Sequence, residues 1–234
     1  MSKTLVVVFL GPPGSGKGTQ GKELAKSFAG LQHVATGDLF RAEIARKSET
    51  GLAVEETIRA GKLVSDDLTY AVLKSQLIKI VDEKKPEILI LDGYPRNGSQ
   101  ADSLKKLLTQ LEDRLEGPVY FELVVPKEVI VERISGRLVN PRSGVVYHLK
   151  QRPPRVPFKC DEDGGELVQR PDDKPEVVGG RFDVYEKGLK EILGRIQSEA
   201  FKHFRFDGTL SVEKISNELS VTLKQLKSLR PSLG

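Results

Sequence analysis

The sequence predicts an α/β fold, a mostly parallel sheet flanked by helices and interrupted by one inserted subdomain, and three observations predict it. Short runs of consecutive apolar and β-branched residues, TLVVVFL at 4–10, EILIL at 87–91 and VYFELVV at 119–125, read as strands covered on both faces. Helical stretches lie between them, and strands that alternate with helices imply parallel pairing through right-handed crossovers. From about residue 138 to 178 the texture changes. Pro141, Pro153, Pro154, Pro157, Pro171 and Pro175 appear there with Gly144, Gly164 and Gly165, which rules out one long helix.

Taken in order, residues 4–10 have the apolar character of a short signal core but run straight into Gly11 without a small-residue cleavage site, so they read as a buried strand. Residues 20–28 (QGKELAKSF) read as the helix that follows. Residues 32–36 and 204–206 carry a fainter strand pattern. A helix is expected over 65–81, with Ser65 as its cap and Asp66 and Asp67 complementing the N-terminal dipole. Leu68, Val72 and Leu73, then Leu77, Ile80 and Val81, give it a buried stripe. Within the insert, residues 145–149 (VVYHL) supply a small strand. A connection longer than roughly 12–15 residues is usually functional or disordered, which favours a subdomain over a surface excursion.

The bulk numbers bound the function. The 234 residues suit one large domain or a core carrying inserts, and 38% hydrophobic with 30% charged residues is an ordinary globular balance. A net charge of +4 and a pI near 9.0 point to anionic ligands, with nucleic acid left open by charge alone. Cys160 is the one cysteine, which excludes intrachain disulfides and fits a reducing compartment. No apolar run approaches the roughly 20 residues that span a bilayer.

Chemistry first shows at residues 11–20 (GPPGSGKGTQ), where Gly11-x-x-x-x-Gly16-Lys17 has the spacing of a phosphate-binding loop between a strand and a helix. Glycines let the backbone wrap a phosphate, the helix N-terminus adds positive potential, and Lys17 reaches the β- and γ-phosphates. A decorative glycine turn would require none of that strand, spacing, lysine and helix together. The usual Ser or Thr after the lysine is replaced by Gly18, and the hydroxyl comes one residue late on Thr19. A second feature is a set of arginines. Arg133 and Arg137, four apart, are expected on one helix face, where an anion would turn their mutual repulsion into binding. Arg170 and Arg181 flank the other side of the insert, and Arg96 follows a strand end. Guanidinium forks suit phosphoryl oxygens, but solvated surface arginine is an equal reading for each, and the arrangement alone leaves the set undecided.

Residues 11–19 (GPPGSGKGT), 36–41 (TGDLFR), 61–64 (GKLV) and 92–96 (DGYPR) resemble the adenylate kinase signatures, in that family's order. Gln100 follows Arg96 by four, as it does there. Arg133, Gly136 and Arg137, residues 143–148 (SGVVYH), Arg170-Pro171-Asp172-Asp173 and Arg181 with Tyr185 resemble the family's lid pattern, and residues 207–209 (DGT) its closing motif. The likeness covers about residues 5–209 and is to the long-lid form.

That resemblance implies a P-loop NTPase-type parallel sheet with core segments 1–36, 65–137 and 179–234, a helical AMP-binding segment 37–64 and a lid 138–178. It implies reversible, Mg²⁺-dependent phosphoryl transfer from ATP to AMP, giving two ADP. Lys17 and the loop residues Gly14, Ser15, Gly16, Gly18 and Thr19 would hold the donor phosphates, with Arg133 over the donor adenine. Arg96, Arg137, Arg170 and Arg181 would surround the phosphoryl group. Thr36, Arg41, Val64, Gly93 and Gln100 would seat AMP, with Arg41 and Arg96 on its phosphate and Arg170 and Arg181 completing that set. Asp92 would orient the waters of Mg²⁺, an ion that keeps several waters and binds through phosphate oxygens, so a hydroxyl at position 18 is dispensable. AMP's phosphate is already an anionic nucleophile, which leaves positioning and charge neutralisation as the catalytic work. A monomeric, cytoplasmic enzyme that binds neither nucleic acid nor membrane is expected.

Four departures from the family bear on this. Tyr94 stands where Phe is usual. Asn97 stands where Thr is common and resembles UMP/CMP kinases. Glu186-Lys187-Gly188 follows Tyr185 in place of a Thr-containing stretch. Finally, four positions that hold cysteines in zinc-bearing relatives are here Asn140, Ser143, Cys160 and Asp163, a poor tetrahedral set that implies a polar network and no zinc. The rival readings are a kinase using GTP as donor or UMP/CMP as acceptor and, from another class, a P-loop switch or nucleic-acid-binding ATPase. The latter lacks an aromatic-interleaved basic stripe.

Overall fold

Strand β1 (Thr4–Leu10) is buried along its whole length, and its side chains alternate between two cores: Leu5, Val7 and Phe9 enter one, Val6, Val8 and Leu10 the other. Such a strand needs cover on both faces. In the computed structural model, which describes residues 3–60, 62–173 and 175–229, the chain supplies that cover in order. After β1 come α1 (Lys17–Ser27), β2 (Leu31–Ala35), α2 (Thr36–Ala45), α3 (Glu49–Arg59), α4 (Asp66–Lys84), β3 (Ile88–Asp92), α5 (Gly98–Gln110) and β4 (Leu115–Val124). Then follow α6 (Lys127–Ser135), β5 (Arg137–Val139), β6 (Val146–His148), a 3-10 turn (Pro171–Asp173), α7 (Pro175–Ser198), β7 (His203–Asp207) and α8 (Val212–Ser228). Gly61 of the expected GKLV motif and residues 230–234 of the expected core lie outside the described residues.

The sheet runs β2-β3-β1-β4-β7 with every pairing parallel. Leu24 of α1 and Ile215, Leu219, Leu223 and Leu226 of α8 cover one face; α4, α5 and α7 cover the other. Strands flank β1 on both sides, so a crevice opens at its carboxyl end, where open α/β sheets bind ligands. Register then matters: Asp92, the last residue of β3, lies level with Phe9 and Ala35. Three strand ends thus present the phosphate loop, Asp92 and Thr36 side by side.

The helices differ from expectation at their edges. The helix expected over 20–28 begins at Lys17, so Lys17, Gly18 and Thr19 form its first turn. Ser65 occupies the cap position of α4 without a side-chain bond, and the helix continues to Lys84. One expectation is overturned: Arg133 and Arg137 do not share a helix face. Helix α6 stops at Ser135, and Arg137 opens β5. Gly136, a poor helix residue, stands at the end of α6, and a Cβ there would sit 2.4 Å from the His148 ring of β6, so only glycine admits that close approach. Beyond it, β5 and β6 pair antiparallel, and Leu138, Tyr147, Cys160 and Leu167 make a small separate core. Lys22 of α1 ties this region to the main body by donating to the carbonyls of Gly144 at 2.6 Å and Ser143 at 3.2 Å. No described helix is long and apolar enough to cross a membrane.

Candidate active site

The phosphate loop takes its shape from glycines that adopt left-handed backbone. Gly14 has φ +84° and lies so close to α6 that a Cβ would meet Ile134 at 2.6 Å; Gly16, at φ +100°, is the residue from which α1 starts. Lys17 folds back over the loop and donates to the carbonyls of Gly11 at 2.6 Å and Pro12 at 3.0 Å. Burial pulls its ammonium down to about 8 against the opposing pull of Asp92, and Arg96, Arg181 and Arg137 add to the lowering. Burial and three nearby arginines thus disfavour the charged lysine more than Asp92 favours it.

Asp92 faces the loop. Burial alone would raise its carboxyl, but His33, at 3.5 Å, and the cations Lys17 and Arg96 hold it below the usual carboxylate range. A Cβ on Gly18 would stand 3.6 Å from Asp92 Oδ2, so a serine or threonine at 18 would fill the gap that glycine leaves between loop and carboxylate. Among the described residues no three His, Cys, Asp or Glu side chains gather into a metal cage. One carboxylate with room beside it fits a hard cation that keeps its own water shell.

A cavity of about 780 Å³ extends from the loop, and Gly14, Ser15, Gly16, Lys17, Gly18, Thr19, Asp92, Arg133, Arg137 and Arg170 all line it. A smaller one of about 60 Å³ is lined by Thr36, Val64 and Gln100. Arg41, Gly93, Arg96 and Arg181 line both. The structure thus brings every predicted residue to one cleft, with Arg170 on the larger chamber only. The arginines come from separate elements and are already engaged. Arg137 chelates the fully buried carboxylate of Asp173, and Arg181 pairs with Asp172 at 2.9 Å and lies 3.7 Å from Asp173. Arg170 reaches Asp38 at 3.7 Å; burial, then Arg41 and Arg137, pull it down to about 10. Arg133 donates to the Gly208 carbonyl at 2.7 Å, which brings it beside the β7–α8 turn.

In the smaller chamber Thr36, buried, donates its hydroxyl to the Gly93 carbonyl at 3.0 Å. Gln100 accepts from the Arg96 amide at 2.8 Å and donates to Asp66 at 2.8 Å. Asn97 caps α5 by accepting from the Gln100 amide at 2.8 Å, so this departure has structural work of its own. Gly188 does too: a Cβ there would fall 1.8 Å from the Arg96 carbonyl, so glycine lets α7 press against the backbone that carries Arg96. Tyr94 is fully buried in the main core. In the insert, Asn140 donates to Asp163 at 2.7 Å and accepts from the amides of Arg142 and Ser143, while Cys160 packs in the small core.

Sequence reasoning did not single out His33, Asp172 or Asp173 as site residues. A lone histidine in a strand carries no signal that it will back a carboxylate. The adjacent aspartates were legible as part of the lid-like motif after Arg170, without a role; that both are buried against guanidiniums is a tertiary fact.

The family described as Adenylate kinase matches residues 9–201. Curated relatives described as adenylate kinase include a protein of Thermosipho melanesiensis, 44% identical over 213 residues, covering 91% of this chain and 96% of the relative. Another, from Shouchella clausii, is 35% identical over 222 residues, covering 95% and 99%. A third, from Pyrococcus abyssi, is 37% identical over 209 residues, covering 89% and 91%.

Proposed function

The chain belongs to the adenylate kinase family, phosphotransferases that move a phosphoryl group between ATP and AMP, and from that premise we propose how its residues divide the reaction. The observation that carries the proposal is the shared wall of the two chambers. Arg41, Arg96 and Arg181 line both, so a phosphate from each side would meet among them. Lys17 and the amides of Gly14, Ser15, Gly16, Gly18 and Thr19 hold the donor phosphates. Arg133 packs over the donor base beside the turn it already bonds. Thr36, Val64, Gly93 and Gln100 seat AMP, and Arg41 and Arg96 take its phosphate. An oxygen of that phosphate bonds the γ-phosphorus as the bond to the β-phosphate oxygen breaks, and ADP leaves on both sides. No proton has to move, so catalysis is alignment and neutralisation by Arg96, Arg137, Arg170 and Arg181.

Mg²⁺ bound with the donor would supply further neutralisation at the phosphate oxygens, and Asp92 is the residue that would hold it through its water shell. Segment 37–64 serves as the AMP-binding segment and 138–178 as a lid over the core, keeping water from the phosphoryl group. No zinc is required: metal analysis should find none, and chelation should leave the unfolding midpoint unchanged. We place the enzyme, as a monomer that binds neither nucleic acid nor membrane, in the cytoplasm, a reducing compartment that suits a buried free cysteine.

The test is a coupled assay for ADP formed from ATP and AMP. We expect kcat/KM for AMP to exceed that for CMP or UMP by at least about a hundredfold, because a base that leaves the site's polar groups unpaired is strongly rejected. Gln100→Ala should narrow the gap chiefly by weakening AMP. Equal turnover of CMP or UMP would overturn the acceptor assignment.

A further inference from the structure

We propose that Asp66 is a specificity-determining positioning residue: together with the Arg96 backbone N–H, its carboxylate fixes which way the Gln100 carboxamide faces, and so helps select a 6-aminopurine monophosphate over a 6-oxopurine one. The inference rests on the reading of the smaller chamber as the acceptor-base site. A carboxamide is almost symmetric in shape, and turning it by half a revolution exchanges its donor and acceptor ends. Only its partners decide which end goes where. On one side of Gln100 lies the backbone N–H of Arg96, which can only donate, 2.8 Å from Oε1. On the other lies Asp66 Oδ1, which as a carboxylate oxygen can only accept, 2.8 Å from Nε2. The reversed amide would set two donors against each other at Arg96 and two acceptors at Asp66.

Asp66 is itself held in position. Both its oxygens accept from Asn97 Nδ2, at 3.2 and 3.3 Å, while Asn97 Oδ1 accepts from the Gln100 backbone N–H at 2.8 Å. The side chain that departs from the family pattern therefore links Asp66 to the backbone that carries the Gln100 side chain.

Gln100 is 2% exposed and lines the chamber. With one N–H and one lone pair committed to protein, it retains one N–H and one lone pair for a base. In the fixed orientation these suit a ring nitrogen that accepts beside an exocyclic amino group that donates, the edge of adenine. Hypoxanthine presents the reverse pattern, a ring N–H beside a carbonyl, and could pair only with the reversed amide. Asp66 thus acts against the wrong base through Gln100 and need not touch either one.

The test compares kcat/KM for AMP and for inosine monophosphate, with ATP as donor, in the wild-type chain and in Asp66→Ala, Asp66→Ser and Asp66→Asn. Both substrates are measured on one preparation, so their ratio does not depend on the fraction of folded enzyme. Wild type should prefer AMP by about a hundredfold or more. Alanine leaves the place to water and serine to a hydroxyl, either of which donates or accepts, so the preference should fall at least about tenfold in both. Most of the AMP loss should be in KM with kcat retained. Asparagine can set its carbonyl where Oδ1 stood and should restore most of the discrimination. Serine also suits a helix N-terminus, which guards against a folding defect in the alanine variant. A selective wild type with alanine and serine variants equally selective, within about twofold, overturns the role of Asp66. A wild type that turns over both purines equally overturns the acceptor-site reading beneath it.

Discussion

The phosphate loop and the arginine ring face the same cleft but hold their charge differently. The loop is one continuous stretch whose geometry is set by backbone, with Gly14 and Gly16 in left-handed conformations and Lys17 resting on the loop's own carbonyls. The ring is assembled from β5, α7, the loop after β3 and the segment before the 3-10 turn, and its guanidiniums are partly neutralised by Asp172, Asp173 and Asp38. A loop amide can present its N–H to a phosphate without moving. An arginine that already holds a carboxylate must exchange or share it. Preorganisation here is a property of backbone, while the side-chain charges are kept tolerable before the nucleotide arrives.

The sharpest way to break that contrast is to remove the one side chain on which the loop relies. Lys17→Ala should cost kcat about a thousandfold, the scale for losing a preorganised charge from the transition state. It should leave the unfolding midpoint unchanged or raised, since burial already disfavours this ammonium. Lys17→Arg should not restore the rate, because a planar guanidinium cannot sit where Nζ meets the carbonyls of both Gly11 and Pro12. Near-wild-type turnover in both variants would show that the backbone alone carries the donor phosphates.

The same contrast explains what could be read in advance. Residues 11–19 were legible because glycine spacing, lysine and helix start are all local, and strand β1 because a both-face-buried strand must be apolar at every position. Strand β4 was legible only from Val119; its first residues include Glu116, Gly117 and Pro118, which break the apolar run. Four-residue spacing sets Arg137 on a helix with Arg133; the His148 ring that demands glycine at 136 lies on another strand and leaves no local signal. Asp172 and Asp173 find their guanidinium partners only because β5 and α7 bring Arg137 and Arg181 to them. His33 backs Asp92 only because β2 and β3 pair in one register.

A smaller effect tests the neutralised ring. Asp173 is fully buried and chelated by Arg137, so Asp173→Ala should destabilise the free protein by about 3 kcal/mol, the scale for stranding a buried charge. The phosphates of a two-headed donor–acceptor analogue would resupply the missing negative charge. The variant should therefore bind that analogue more tightly than wild type, and urea unfolding at saturating analogue should show a reduced gap between the two. An equal gap with and without the analogue would make Asp173 an ordinary structural partner and would end the idea that the aspartates stand in for phosphate.

The mildest perturbation is pH, and it separates the loop from the ring without any mutation. Lys17 titrates at about 8 in the free protein, against an ordinary value near 10.5, so between those values the unfolded chain binds more protons than the folded one. By linkage the free protein gains stability as pH rises through that window, the reverse of what a paired lysine would show. A bound donor reverses the imbalance, because phosphate favours the ammonium. Donor binding should then take up almost no proton at pH 7 and approach one proton at pH 9, and donor affinity should fall by up to about tenfold per pH unit above 8. Calorimetry in two buffers of different ionisation enthalpy reads that uptake directly. Acceptor binding provides the control: Arg96 and Arg170, though burial and then neighbouring arginines bring them down to about 10, stay charged at pH 9, so AMP should take up far less. Equal proton uptake for both nucleotides would mean that the loop lysine and the arginine ring titrate as one site, and the division between them would have no thermodynamic content.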